Sequence, residues 1–181
     1  MPHQPRDIEA GLFHIFTHCV WVSPHLYRDD VDRLEFLRHL ARAAERPGWT
    51  CLMYCLMGSH YHLIVDVGEG VLPPAMHAMN LAYARHHNRR YGLRGHVQFR
   101  RYGSRRIIDQ DDLLGVVAYI ANNPVEAGLC KSPVDWVWSS YAATVGLAEM
   151  PSFVDPALIL ACFDWPRVDP RAALRACVEG A

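Results

Sequence analysis

The order of elements in this sequence predicts an α+β chain organised on one four-stranded antiparallel sheet. Three observations carry that expectation. Apolar, β-branched runs alternate with stretches of helical spacing in the order β-α-β-β-α-β. The second and third runs are separated only by Gly58-Ser59, which suits a hairpin. A further stretch of helical spacing with an Asp cap follows the fourth run. The 181 residues, 51% hydrophobic and 20% charged, are enough for one sizeable core.

Residues 12–22 are apolar with β-branched and aromatic content and read as the first strand. Asp29-Asp30 begins a helix to about residue 46, with Val31, Leu34, Leu37, Leu40 and Ala41 at helical spacing and Pro47-Gly48 as its stop. Residues 49–57 are the second strand and residues 60–67 the third, closed by Gly68-Glu69-Gly70. Pro73-Pro74 opens a second helix to about residue 90, ended by Tyr91-Gly92. Residues 97–108 read as the fourth strand. Asp109 or Asp111 caps a third helix over 112–122, with Pro124 expected to end it. This is the split βαβ, or ferredoxin-like, pattern with an added C-terminal helix. Two helices cover one face of the sheet, and the other is expected to stay open, as in RNA-recognition folds. Residues 1–128 form the domain. Residues 129–181 form a tail with Trp136, Trp138, Tyr141 and two short helices, packed on the domain or contacting nucleic acid.

The six cysteines show no CxxC and no paired spacing, so most of them read as reduced and buried. Cys51 and Cys55, four apart on a strand, would share a face about 13 Å apart, too far for one tetrahedral ion with His60. The polar start and the lack of a long apolar run predict a cytoplasmic protein without a membrane segment. The net charge of −1 conceals an asymmetry. Between Gly70 and Ile108 there is no acid, while Arg85, Arg89, Arg90, Arg94, Arg100, Arg101, Arg105 and Arg106 supply +8; the remainder carries 10 basic against 19 acidic residues. Such a distribution points to a polyanion-binding face.

His60 and His62 are one residue apart on the third strand, so they project from the same face about 7 Å apart along the backbone. Two neutral imidazoles so placed can grip a divalent cation. In a chain with 11 histidines such a pair, taken alone, is more often solvated or hydrogen-bonded. Tyr119 and Asn123 are four apart and share a helix face if the third helix persists that far. Taken alone they read as an ordinary amphipathic tyrosine and a C-cap.

Together these residues resemble a family. His60-Tyr61-His62-Leu63-Ile64-Val65, Asn88-Arg89-Arg90-Tyr91-Gly92, Gly95-His96, Tyr119-Ile120 with Asn123-Pro124-Val125 and Ala127-Gly128-Leu129, and Trp138-Ser139-Ser140-Tyr141 occur in the order found in single-tyrosine HUH transposases. Among these the chain is most similar to the REP-associated tyrosine transposases, relatives of the smallest bacterial insertion-sequence transposases. The resemblance runs over residues 12–147 and more loosely through 155–158. It departs from the usual pattern at Gly58-Ser59, where Pro-Asn is common, at His18-Cys19 in place of Arg-Gly, at Glu126, where an arginine is common, and at Gln98-Phe99-Arg100.

The resemblance implies that His60 and His62 hold Mg²⁺ or Mn²⁺, that Asn123 lies near or on the metal, and that Tyr119 attacks a phosphodiester of single-stranded or hairpin DNA. The product is a 5′-phosphotyrosine and a free 3′-OH, and a second 3′-OH can reverse the reaction and join strands. The arginines from Arg85 to Arg106 would line the DNA path, and Tyr91, Phe99, Tyr102, Trp136 and Trp138 are stacking candidates. The resemblance also implies that a homodimer can form and exchange the tyrosine helix. Two other readings compete: a ferredoxin-like nucleic-acid-binding regulator with a vestigial site, and a metal-dependent hydrolase that uses water in place of Tyr119.

Overall fold

The computed structural model describes residues 9–18, 25–93 and 102–180. Strands β1 (Gly11–His18), β2 (Trp49–Leu56), β3 (His60–Val67) and β4 (Gly103–Arg106) form one antiparallel sheet in the order β2-β3-β1-β4. Helix α1 (Asp30–Ala44) joins β1 to β2 and α2 (Leu72–Tyr91) joins β3 to β4, so the ferredoxin-like order is realised. Helix α3 (Gln110–Glu126) follows, then a tail with α4 (Tyr141–Thr144), α5 (Ala157–Ala161) and α6 (Pro170–Glu179). The first half of the expected fourth strand and the end of the first lie outside the described residues.

Helix α1 starts where Asp29 accepts a hydrogen bond from the Asp32 backbone N–H, and α3 starts the same way at Asp109 and Asp112. The buried face of α1 differs from the expected stripe. Phe36, Leu40 and Ala43 enter the core, while Val31 and Leu34 are exposed. Asp32 occupies the buried face because it is held there: Arg28 N–H, Tyr91 O–H and Arg90 all donate to its carboxylate, at 2.9, 2.7 and 2.6 Å. A buried carboxylate with three donors is tolerated where a bare one is not.

Pro124 does not end α3. The helix runs on to Glu126 and closes at Gly128, whose φ of +69° is the left-handed conformation favoured after a helix. Pro124 costs α3 one backbone donor, but it lies in the last turn and is buried. A bulge in β2 changes the expected cysteine geometry. Cys51 pairs with Val65 and Met53 with Ile64, so Leu52 is an extra residue and the alternation flips. Cys51 therefore packs with Phe13 and Leu63 on the α1/α2 side, and Cys55 with Ile64 and Ile120 on the other.

The second face of the sheet is not open. Leu52, Met53, Cys55 and Ile64 form a core there with Val117 and Ile120 of α3 and with Tyr141, Ile159 and Leu174 of the tail. The tail also runs along β2. Trp138 C=O accepts from Leu56 N–H, Tyr54 C=O from Ser140 N–H, and Cys51 C=O from Asp155 N–H, at 2.9, 3.0 and 2.8 Å. Trp136 and Trp138 are half-buried against the two cores, and the Trp136 indole N–H donates to Leu56 C=O at 3.1 Å. Among the described residues no helix is long and apolar enough to cross a membrane.

Candidate functional site

Strand alternation does the first part of the positioning. On β3, Tyr61 enters the α1/α2 core, its ring centroid 4.8 Å from that of Phe36, while His60 and His62 leave the opposite face. β1 lies antiparallel beside β3 with His14 opposite Ile64 and Phe16 opposite His62, which brings His14 and Phe16 to the histidine face. His14 Nε2 is 3.0 Å from His62 Nδ1, with ring centroids 5.2 Å apart. Both rings are buried. Next to them, Gly103 of β4 is a glycine because a Cβ there would stand 2.5 Å from the Phe16 ring.

Helix α3 supplies the second part. Because it persists past Asn123, Tyr119 and Asn123 share one face, one turn apart. Asn123 Oδ1 is 3.2 Å from His60 Nε2, and Ser59 Oγ is 3.1 Å from His60 Nδ1. The Tyr119 ring stands near-perpendicular to those of His62 and His14, at centroid distances of 5.4 and 6.1 Å. Tyr119 is 47% exposed, so its hydroxyl is within reach of a substrate arriving from solvent. It meets the histidines of its own chain.

His14 was not singled out by its sequence neighbourhood, since a lone histidine in an apolar strand reads as core. Only the β1/β3 register places it beside His62. Burial first, and then the Arg105 charge, push its pKa down to about 4, with Asp112 acting weakly the other way. Its ring is therefore neutral near pH 7.

The arginines divide. Arg90 donates to Asp29, the cap of α1, and to Asp32 in its first turn, with N···O distances of 2.6–2.7 Å. Arg105 grips Asp112 through two N–H groups at 2.8 and 2.9 Å, and Arg106 reaches Glu9 at 3.2 Å. The acid-free segment thus meets acids contributed by other segments, and its charge is partly answered at home. Arg85 and Arg89 lie exposed on α2 and form no ion pair among the described residues. Arg94, Arg100, Arg101 and Phe99 lie outside the described residues. Tyr102 is buried in the α1/α2 core, and the Tyr91 ring already carries the Arg28 guanidinium 3.9 Å from its centroid, with its hydroxyl donating to Asp32.

The donors fit a divalent ion of mixed nitrogen and oxygen preference. Two ligands at right angles on an ion with bonds of about 2.1 Å stand about 3 Å apart, and His60 Nε2 and Asn123 Oδ1 are 3.2 Å apart. In the structure Nε2 donates to Oδ1; in the other tautomer, with the proton on Nδ1, both atoms can offer a lone pair to one point. Among the described residues no three His, Cys, Asp or Glu side chains converge as a metal site. The groups that could hold an ion are instead the two β3 imidazoles and an amide oxygen from α3.

No family model and no curated protein matches the chain. A solved structure of a REP-associated tyrosine transposase bound to a REP hairpin is similar, with a TM-score of 0.65 over 93% of this chain and 98% of that one, at 19% sequence identity. At that identity the likeness shows a shared fold.

Proposed function

We propose that this chain is a metal-dependent, single-tyrosine endonuclease and strand transferase acting on single-stranded or hairpin DNA. The observation that carries the reading is the meeting of Tyr119 and Asn123, on one face of α3, with His60 and His62 on β3. Four residues from two distant segments supply side-chain types suited to phosphoryl transfer to a tyrosine, and their proximity supports the reading. The hairpin-bound neighbour of the same fold favours DNA as the substrate.

His60, His62 and Asn123 would hold Mg²⁺ or Mn²⁺. When bound, such an ion supplies positive charge to a non-bridging phosphate oxygen and to the departing 3′ oxygen. The protein does the rest. A phenol is a poor nucleophile at neutral pH and gains most from a well-placed target. Tyr119 is held by a helix that is packed on the sheet through Val117 and Ile120. Its oxygen bonds to phosphorus as the P–O3′ bond breaks; the phenolic proton passes to solvent and the 3′ oxygen takes one up. The phosphotyrosine conserves a phosphodiester, so attack by another 3′-OH rejoins a strand and regenerates Tyr119. Arg85 and Arg89, exposed on α2, and Arg94, Arg100 and Arg101 are proposed to contact the DNA backbone. Arg90 braces α2 against α1, and Arg105 and Arg106, also exposed, can add phosphate contacts beside their acid partners.

A labelled hairpin oligonucleotide with Mn²⁺ is expected to give a covalent adduct that is lost in Tyr119→Phe and in His62→Ala. An adduct that persists in Tyr119→Phe overturns the assignment. Cleavage without an adduct favours a water nucleophile, and salt-dependent binding without cleavage favours a regulator.

A further inference from the structure

We propose that His14 is a positioning residue: its Nε2 accepts the Nδ1–H of His62 and fixes the tautomer in which His62 offers Nε2 to the cation. The inference rests on the reading of His60, His62 and Asn123 as metal donors. A neutral imidazole carries one proton on two nitrogens, and the ligating nitrogen must be the bare one. A partner that accepts at the other nitrogen therefore decides which atom ligates and how the ring is turned.

Two observations carry the assignment independently. The first is the contact itself: His14 Nε2 lies 3.0 Å from His62 Nδ1, in a buried setting, on a strand whose register with β3 is fixed by eight paired residues. The His14 ring is further flanked by Phe16, at 5.2 Å between centroids, and by Tyr119, at 6.1 Å. The second is that the other histidine also has a neutral polar group at its δ nitrogen. His60 Nε2 donates to the Asn123 amide oxygen at 3.2 Å, so its Nδ1 accepts from Ser59 Oγ at 3.1 Å. A hydroxyl both donates and accepts, so Ser59 can take the Nδ1 proton bond once Nε2 turns to the cation. A carboxylate in the place of His14 would hold His62 equally well, but it would set a negative charge beside an incoming phosphodiester. An imidazole orients the ligand without that repulsion.

The test begins with the metal-free full chain labelled with ¹⁵N-histidine. Long-range ¹H–¹⁵N spectra are expected to show His62 protonated on Nδ1. The proton redistributes to Nε2 in His14→Phe and returns to Nδ1 in His14→Gln, whose side-chain oxygen can reach the place of Nε2. Titration with Mn²⁺, followed by electron paramagnetic resonance, is expected to show affinity about 10–100-fold lower in His14→Phe and largely recovered in His14→Gln. Spin-echo modulation of the bound Mn²⁺ should count two imidazoles. A wild-type His62 protonated on Nε2, three coordinated imidazoles, or unchanged affinity in His14→Phe each overturns the proposal; the wild-type spectra decide even if a variant fails to fold. If tautomer and affinity behave as expected and no covalent adduct forms, the strand-transfer reading fails and the positioning role stands.

Discussion

On β3, Tyr61, Leu63 and Val65 alternate with His60, His62 and Ile64, and the two sets diverge at every Cα. The first set enters a core closed by α1 and α2, where Phe36, Leu40 and Tyr83 are buried and aromatic rings meet edge to face. The second set begins in a polar cluster with His14, Asn123 and Tyr119, and only from Ile64 onward joins the core under α3 and the tail. One face of the sheet is thus apolar along the whole strand. The other gives up packing at the His60 end in exchange for groups that can bind and react. The difference teaches that the β3 histidines are backed by a core on the far side of the sheet, while Tyr119 and Asn123 are carried by a helix packed in the core beside them.

Substitutions that strike one face and spare the other test that division. The largest contrast is between Phe36→Ala and Tyr119→Phe. Phe36 is fully buried, so its truncation is expected to cost about 3–5 kcal/mol in urea unfolding. Tyr119, half-exposed, should change stability by about 0.5 kcal/mol or less while abolishing the adduct. Equal losses of stability in the two variants would mean that the faces share one core.

A smaller effect concerns the acid limb of stability. Arg90 beside Asp29 holds that carboxyl down to about 2. For Asp32, burial works against ionisation, but the donors from Arg28, Tyr91 and Arg90 outweigh it and the pKa falls. Carboxyls depressed in the folded state add stability that is present above the ordinary carboxylate range and is lost as pH falls from about 5 toward 2. Arg90→Ala is therefore expected to lower the urea midpoint at pH 7 and to make its further fall by pH 3 shallower than in the wild type. A parallel pair of curves would remove Arg90 from the brace. The smallest expected effect is at Gly103→Ala, whose new methyl must displace the Phe16 ring. A loss of about 1 kcal/mol, with Mn²⁺ affinity lowered several-fold, would place Phe16 among the supports of His14 and His62.

Much of the fold could be read from the sequence because it is written in local signals. The alternation of residues 60–67, the Gly58-Ser59 turn and the Asp caps at Asp29 and Asp109 all belong to segments that specify their own conformation. What escaped depends on register and on distant partners. The extra residue Leu52 separates Cys51 from Cys55, and no turn residue announces it. Asp32 is buried because Arg90 and Tyr91 arrive about sixty residues later. The segment from Gly70 to Ile108 is uniformly cationic along the chain but not in space, where Arg90 and Arg105 meet acids from other elements. In the candidate site, His60, His62, Tyr119 and Asn123 had a pattern and a spacing, but His14 had neither. The Gly58-Ser59 departure also gained a role: Ser59 reaches the ring that its turn presents.

By strand order β2 is an edge, yet the Cys51 C=O, the Tyr54 N–H and C=O and the Leu56 N–H and C=O are bonded by the tail. In hydrogen-exchange terms it is an interior strand: the Tyr54 and Leu56 amides, which donate to the tail, are expected to exchange together with the tail rather than as a frayed edge. The chain thereby closes the β2 side of its sheet with its own sequence, and among the described residues no strand pairs with the outer side of the short β4.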